Sequence, residues 1–130
     1  MKRIGIDMAL LLLRVSFGGL MLQGHGWGKL MKLINENPVT FADPLGIGAT
    51  ASLALAVFAE VLCAMLLVLG LFTRLVSIPL IITMLVAVFV VHMGDPFPKM
   101  EKGLLYLIPY VCLLIAGPGR YSLDRQWLSK

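Results

Sequence analysis

The chain has 130 residues, of which 59% are hydrophobic and 14% charged, with a formal net charge of +4. An ordinary soluble domain carries about 25% charged residues, so this chain lacks the polar surface to coat a water-facing globule; disorder, a collagen repeat and a disulfide scaffold are excluded by the same figures. At about 20 residues per spanning helix with short connections, the length fits four membrane spans and leaves no room for a Rossmann fold, a P-loop domain or a soluble active site.

The first predicted span covers about residues 7–30. Its basic start, Lys2 and Arg3 before a leucine run, resembles a signal peptide. Arg14 splits the apolar stretch and no A-x-A site follows, so the reading is a retained helix. The longest loop falls at 33–47, marked by Asn35-Glu36-Asn37-Pro38 and Asp43-Pro44, with room for a short interfacial helix. The second span, 48–71, carries Glu60 at its middle, and Gly70-Leu71-Phe72-Thr73-Arg74 makes a tight turn after it. The third span, 75–92, contains Pro79, which bends a membrane helix without breaking it. A loop at Gly94–Lys99 leads to the fourth span, 101–117, with Pro109 inside and Gly117-Pro118-Gly119 as its stop. A polar tail follows, with Trp127 suited to the interfacial aromatic belt. The predicted architecture is an all-α integral membrane four-helix bundle in a single domain.

Basic residues are scattered between the apolar runs rather than gathered in a stripe, which fits lipid headgroups and not nucleic acid. With both termini on one side, that side carries Lys2, Arg3, Arg74, Arg120, Arg125 and Lys130, against Lys29, Lys32, Lys99 and Lys102 on the other. The bias places both termini in the cytoplasm. Cys63 and Cys112 lie in apolar runs without CxxC or CxxCH, so neither a zinc site nor a c-type haem is signalled. The eight Met residues are dispersed and read as packing filler.

Ionisable groups inside the spans demand an explanation. Arg14 lies about 9 Å into its helix, within reach of the headgroups by snorkelling. Glu60 is out of reach of either helix end, so it is protonated, paired or beside a wet cavity. Two readings stand: a structural Arg14–Glu60 clasp, or a proton-handling carboxylate. At 100° per residue, Arg14, Gly18, His25 and Lys29 share one face of the first helix, within about 60°. Glu101, Leu105, Ile108 and Cys112 share one face of the fourth. If both faces look inward, Arg14, His25, Glu60, His92 and Glu101 converge on the interior. His25 and His92 are weak candidates for haem or metal ligation, since two histidines without a spacing signature are equally interfacial residues bonded to a loop. Cys63 reads as a small core residue before a redox thiol.

Arg14 and Gly18 followed by His25-Gly26-Trp27-Gly28-Lys29-Leu30, Glu60 followed by Gly70-Leu71-Phe72-Thr73-Arg74, His92, Glu101 with Leu104-Leu105-Tyr106, and the closing Gly117-Pro118-Gly119-Arg120-Tyr121-Ser122-Leu123-Asp124 together resemble the DoxX family. The resemblance runs from about residue 8 to 125. It implies a four-helix bacterial inner-membrane protein; some members are linked to a thiosulfate:quinone oxidoreductase as a small subunit, others to thiol-redox or quinone-stress systems. The candidate polar site carried over by position is Arg14, His25, Lys29, Glu60, His92 and Glu101.

Two classes of function follow. The leading one is the membrane subunit of a quinone- or thiol-linked redox system. There His25, Lys29 or His92 donates to a quinone carbonyl, Glu60 and Glu101 relay protons, and Trp27 and Tyr106 border the ring. Electrons come from a redox partner protein or a small thiol. The other is a small-solute or proton permease, acting as a homo-oligomer because four spans are few, or an assembly or scaffold protein. A bundle whose polar residues are only interhelical glue is the structural baseline.

Overall fold

The computed structural model describes residues 2–127. Four long helices form an antiparallel bundle in which each packs beside its chain neighbours and α1 also meets α4. The helix α1 runs Lys2–Met21, passes through a π-helical turn at Leu22–Gly26 and continues over Trp27–Asn35. The helix α2 covers Ala49–Val57, a π turn at Phe58–Cys63, and Ala64–Leu69. The helix α3 covers Thr73–Val86 with a π turn at Ala87–Val91. The helix α4 is Phe97–Ala116, and a short α5, Leu123–Trp127, closes the tail. Residues 36–48 hold no helix, so the interfacial helix expected in this loop does not form. The extra length goes to α1 instead.

Three helices, over Ile4–Asn35, Ala49–Leu69 and Thr73–Val91, are long and apolar enough to cross a membrane. Helix α4 has 20 residues but carries Lys99, Glu101 and Lys102 in its first two turns. The bundle has a dry centre formed by Met21, Cys63, Leu67, Leu80, Tyr110 and Leu113. Its outer surface is strongly apolar, with Leu12, Leu75, Ile108 and Ile115 between 62% and 73% exposed. That distribution is the signature of a surface solvated by lipid rather than water. The chain is a helical membrane protein.

The face of α4 that bears Glu101, Leu105, Ile108 and Cys112 points outward, contrary to expectation. Tyr106, Pro109, Tyr110 and Leu113 face the core instead. The periodicity is right and the choice of face is wrong, because a single polar residue at the helix start outweighed the aromatic pair deeper in.

Two glycines of α1 set its crossing with α2. A Cβ on Gly18 would sit 2.8 Å from Val68 Cγ2 and 3.0 Å from the Ala64 carbonyl. A Cβ on Gly26 would collide with the Glu60 backbone carbonyl. On a regular α-helix Gly26 would lie about 120° from Arg14, off this face. The π turn adds one residue and sets the following part of the helix back by about 100°, bringing Gly26 to about 20° from Arg14. The bulge therefore lets one helix present a close-packing seam at two levels.

Candidate functional site

The bundle buries charge at both ends. At the end where α1 begins and α4 stops, Arg14 is fully buried. Its Nε donates to the Pro118 carbonyl at 3.0 Å, and Nη1 reaches the carbonyls of Val68 at 3.1 Å and Leu67 at 3.5 Å. Nη2 donates to the Tyr121 carbonyl. Leu67 and Val68 are at the C-terminus of α2, where unpaired carbonyls and the helix dipole favour a cation. Gly70 follows in the left-handed conformation (φ 73°). Any side chain there would strike Arg14 and Ser122.

The tail completes this knot. Asp124 accepts the N–H groups of Phe72 at 2.6 Å and Thr73 at 2.8 Å, capping α3, while its own N–H donates to the Gly70 carbonyl. It holds Phe72 at φ 52°, a conformation that a non-glycine residue adopts only under constraint. Asp7 accepts the Arg120 N–H at 3.1 Å, tying the start of α1 to the same loop. The Gly117-Pro118-Gly119 turn and Ser122-Leu123-Asp124 thus act as a backbone clamp on Arg14 and on the α2–α3 turn.

Of the two readings of Glu60, the clasp with Arg14 does not form. Seven residues of α2, or about 10 Å, separate Glu60 from the Leu67 carbonyl that Arg14 meets. Glu60 instead pairs with Lys29, whose Nζ lies 2.7 Å from both carboxylate oxygens. The two π turns meet here: Gly26 brings α1 against the backbone of Glu60, and Lys29 reaches the carboxylate from one turn further on. The Glu60 side chain is 1% exposed and that of Lys29 is 31% exposed. The lysine therefore keeps an accessible side while the carboxylate has almost none.

A cavity of about 430 Å³ opens beside this pair, between α2, α3 and the 36–48 loop. Lys29, Glu60, Ser52, Thr83 and His92 supply its polar lining, and the remainder is apolar. Its mouth lies toward the lipid, since Leu55, Phe58 and Ile82 line it and are 47–55% exposed. The Thr83 hydroxyl donates to the Pro79 carbonyl at 2.7 Å, so it is engaged within α3.

The loop side of the cavity is pinned by Asp43. Its carboxylate accepts the Ser52 hydroxyl at 2.7 Å, the Gly48 N–H at 2.8 Å and the Ile47 N–H at 3.1 Å. These bonds, the Ser52 hydroxyl first, hold the Asp43 carboxyl below its usual range. Phe41, Ala42, Pro44 and Leu45 are thereby held against the cavity. At the loop start the Thr40 hydroxyl and N–H likewise hold the Glu36 carboxyl low.

Of the residues singled out from sequence, Lys29, Glu60 and His92 come together at this cavity. The Nδ1 of His92 lies 3.1 Å from Asp95 at the end of α3. His25 lies elsewhere. Its ring packs edge-on to Tyr106, 5.3 Å between centroids, on the α1–α4 side. Tyr106 in turn meets Phe17 and Tyr110. The two histidines thus face different parts of the bundle, and among the described residues no group of three or more His, Cys, Asp or Glu side chains gathers around a point. Trp27 is 55% exposed and lines neither cavity wall nor core. Glu101 is exposed on the outward face of α4. Cys63 is buried within the core cluster.

Sequence reasoning missed Asp43, Asp7, Asp124 and the pairing of Lys29 with Glu60. Asp124 had a readable signal, the serine–leucine–aspartate after a glycine turn. The others act through loop geometry or through the π turns, which regular periodicity does not encode.

The DoxX family model matches residues 9–93, which takes in Arg14, His25, Lys29, Glu60 and His92 but stops short of α4. The chain is similar to an uncharacterized membrane protein of Mycobacterium tuberculosis, 33% identical over 127 residues, covering 86% of this chain and 77% of that one. It is also similar to an uncharacterized protein of Haemophilus influenzae, 29% identical over 113 residues, covering 82% and 81%. No solved structure matches it. The family match spans well over half of the chain, and the cavity that holds the Lys29–Glu60 pair is built almost wholly within it: this chain belongs to the DoxX family.

Proposed function

We propose that the chain is the membrane subunit of a quinone- or thiol-linked redox system, with its ligand site at Lys29 and Glu60. The observation that carries this reading is the ion pair at the edge of a lipid-facing, mostly apolar cavity. A quinone ring needs an apolar slot and a donor at a carbonyl, and it arrives from the bilayer. The cavity has that shape and opening, and the Lys29 ammonium is the donor. His92 is the second donor, through the ring nitrogen not engaged by Asp95.

Reduction of the ring takes electrons and an equal number of protons. Electrons come from a redox partner protein or from a small thiol, which leaves as its disulfide. Protons pass through the Lys29–Glu60 pair, since Lys29 is partly exposed and both residues line the cavity. The packed layer of Met21, Cys63, Leu67, Leu80, Tyr110 and Leu113 lies between Glu60 and the Arg14 knot. A dry layer of this kind supports a site served from one side and speaks against a permeation path. The site belongs to a bacterial inner-membrane protein with four crossings and both termini in the cytoplasm.

The test is a titration of purified, lipid-reconstituted protein with a tail-less benzoquinone, followed by quenching of tryptophan fluorescence. Saturable quenching is expected, weakened about tenfold or more in Glu60→Gln and Lys29→Met. No saturable quenching, or variants indistinguishable from the parent, overturns the reading.

A further inference from the structure

A second cavity of about 400 Å³ lies in the same α2–α3 groove, lined by Leu62, Cys63, Leu66, Phe72, Leu75, Val76 and Ile78 together with Phe58 and Pro79. Phe58 and Pro79 also line the first cavity, so the two volumes adjoin across these residues. The polarity changes sharply along the groove. The first cavity has the Lys29–Glu60 pair; the second is bounded by apolar side chains alone.

Two irregularities mark the stretch of the groove where the cavities adjoin. Pro79 removes a backbone N–H inside α3. The π turn at Phe58–Cys63 lies opposite and interrupts the regular side-chain rows of α2. Both irregularities fall at the level where the two cavities share their lining; α3 packs against the Phe58–Cys63 turn there, and the turn at Gly70–Phe72 joins the two helices at one end.

From this we infer that the groove binds one elongated amphiphile, its polar head at Lys29 and Glu60 and its hydrocarbon tail passing Phe58 and Pro79 into the second cavity. The inference rests on the proposed quinone site and adds to it that the ligand is a long-tailed, isoprenoid-type quinone seated lengthwise. The direction follows from charge: only one end of the groove can satisfy a carbonyl head, and a tail placed there would leave the ion pair facing hydrocarbon. In a bilayer the tail gains little from leaving lipid, because lipid chains are as apolar as the groove. The second cavity therefore acts through shape, and filling it is the way to expose its role.

The experiment compares two probes, a tail-less benzoquinone and the same ring with an isoprenoid tail, in Leu75→Trp and Ile78→Trp. Both positions are lipid-facing, 65% and 43% exposed, so the bulk enters the groove without entering the core. A tailed probe with a photoreactive group at its end serves as a second measurement. The expected result is a loss of about tenfold for the tailed probe, unchanged binding of the tail-less one, and photolabel on α2 or α3 between residues 62 and 78. If the tail-less probe binds while the tailed probe ignores both substitutions, the lengthwise seating is wrong and the head site stands. If neither probe binds the parent protein, the quinone reading fails and this one with it. Equal displacement of the photoprobe by a phospholipid of matched chain length also overturns the inference, since the groove would then be a general lipid contact.

Discussion

Arg14 and Glu60 are both fully buried, one toward each end of the same bundle, yet their surroundings differ in kind. Arg14 is enclosed by four backbone carbonyls from the end of α2 and the closing turn. Glu60 meets one side chain, Lys29, and an open cavity. A buried charge whose hydrogen-bonding capacity is consumed by backbone is a structural rivet. A buried charge paired with one partly exposed side chain beside an apolar cavity leaves that partner accessible, and a ligand can compete for it. Intramembrane charge alone does not mark a site; the unspent capacity around it does.

The largest expected effect tests the rivet. Arg14→Leu leaves the carbonyls of Leu67, Val68, Pro118 and Tyr121 without their donor, and should cost about 3–5 kcal/mol. Detergent-solubilised protein should lose its cooperative thermal transition, or show it sharply lowered. Arg14→Lys keeps the charge but not the planar fork, and should fall between.

The next effect separates the members of the outer pair. Lys29→Met strands a carboxylate that is 1% exposed, whereas Glu60→Gln leaves a lysine that is already 31% exposed. The first should destabilise by about 2–3 kcal/mol and the second by about 1 kcal/mol or less. Equal losses, measured by thermal unfolding, would remove the asymmetry on which the open site depends.

A smaller effect belongs to the cap. Asp124→Asn keeps the shape but weakens the bonds to Phe72 and Thr73, and should cost about 1–2 kcal/mol with ligand binding intact. The smallest concerns the loop. The Asp43 carboxyl is held low by Ser52 and the Gly48 N–H, so its contribution is present above the ordinary aspartate range and is lost as pH falls through the folded value. Protection of the Ile47 and Gly48 amides, taken relative to the intrinsic exchange rate at each pH, should be present at neutral pH and fall under acid. Ser52→Ala should move that fall to higher pH.

Much of the fold was legible because lipid imposes it. Apolar runs closed by Gly70, Gly94 and Gly117 mark the ends of α2, α3 and α4 to within a few residues. The length of α1 was underestimated, since its amphipathic end at Trp27–Asn35 lacks a continuous apolar run. The site was legible only as a set of residue types. Lys29 and Glu60 were both singled out, but their pairing depends on π turns in two helices. Those turns rotate Gly26 into contact and leave His25 against Tyr106. Regular periodicity carries no trace of an inserted residue, and depth along the helices left the Arg14–Glu60 clasp as one of two readings of Glu60.

The most direct measurement sets the two regions against each other with one ligand. Tail-less benzoquinone is titrated into lipid-reconstituted parent protein, Glu60→Gln and Asp124→Asn, each first shown to unfold cooperatively. The account predicts saturable binding in the parent and in Asp124→Asn, and about tenfold or greater weakening in Glu60→Gln. Binding that survives unchanged in Glu60→Gln, or that falls equally in Asp124→Asn, would contradict it.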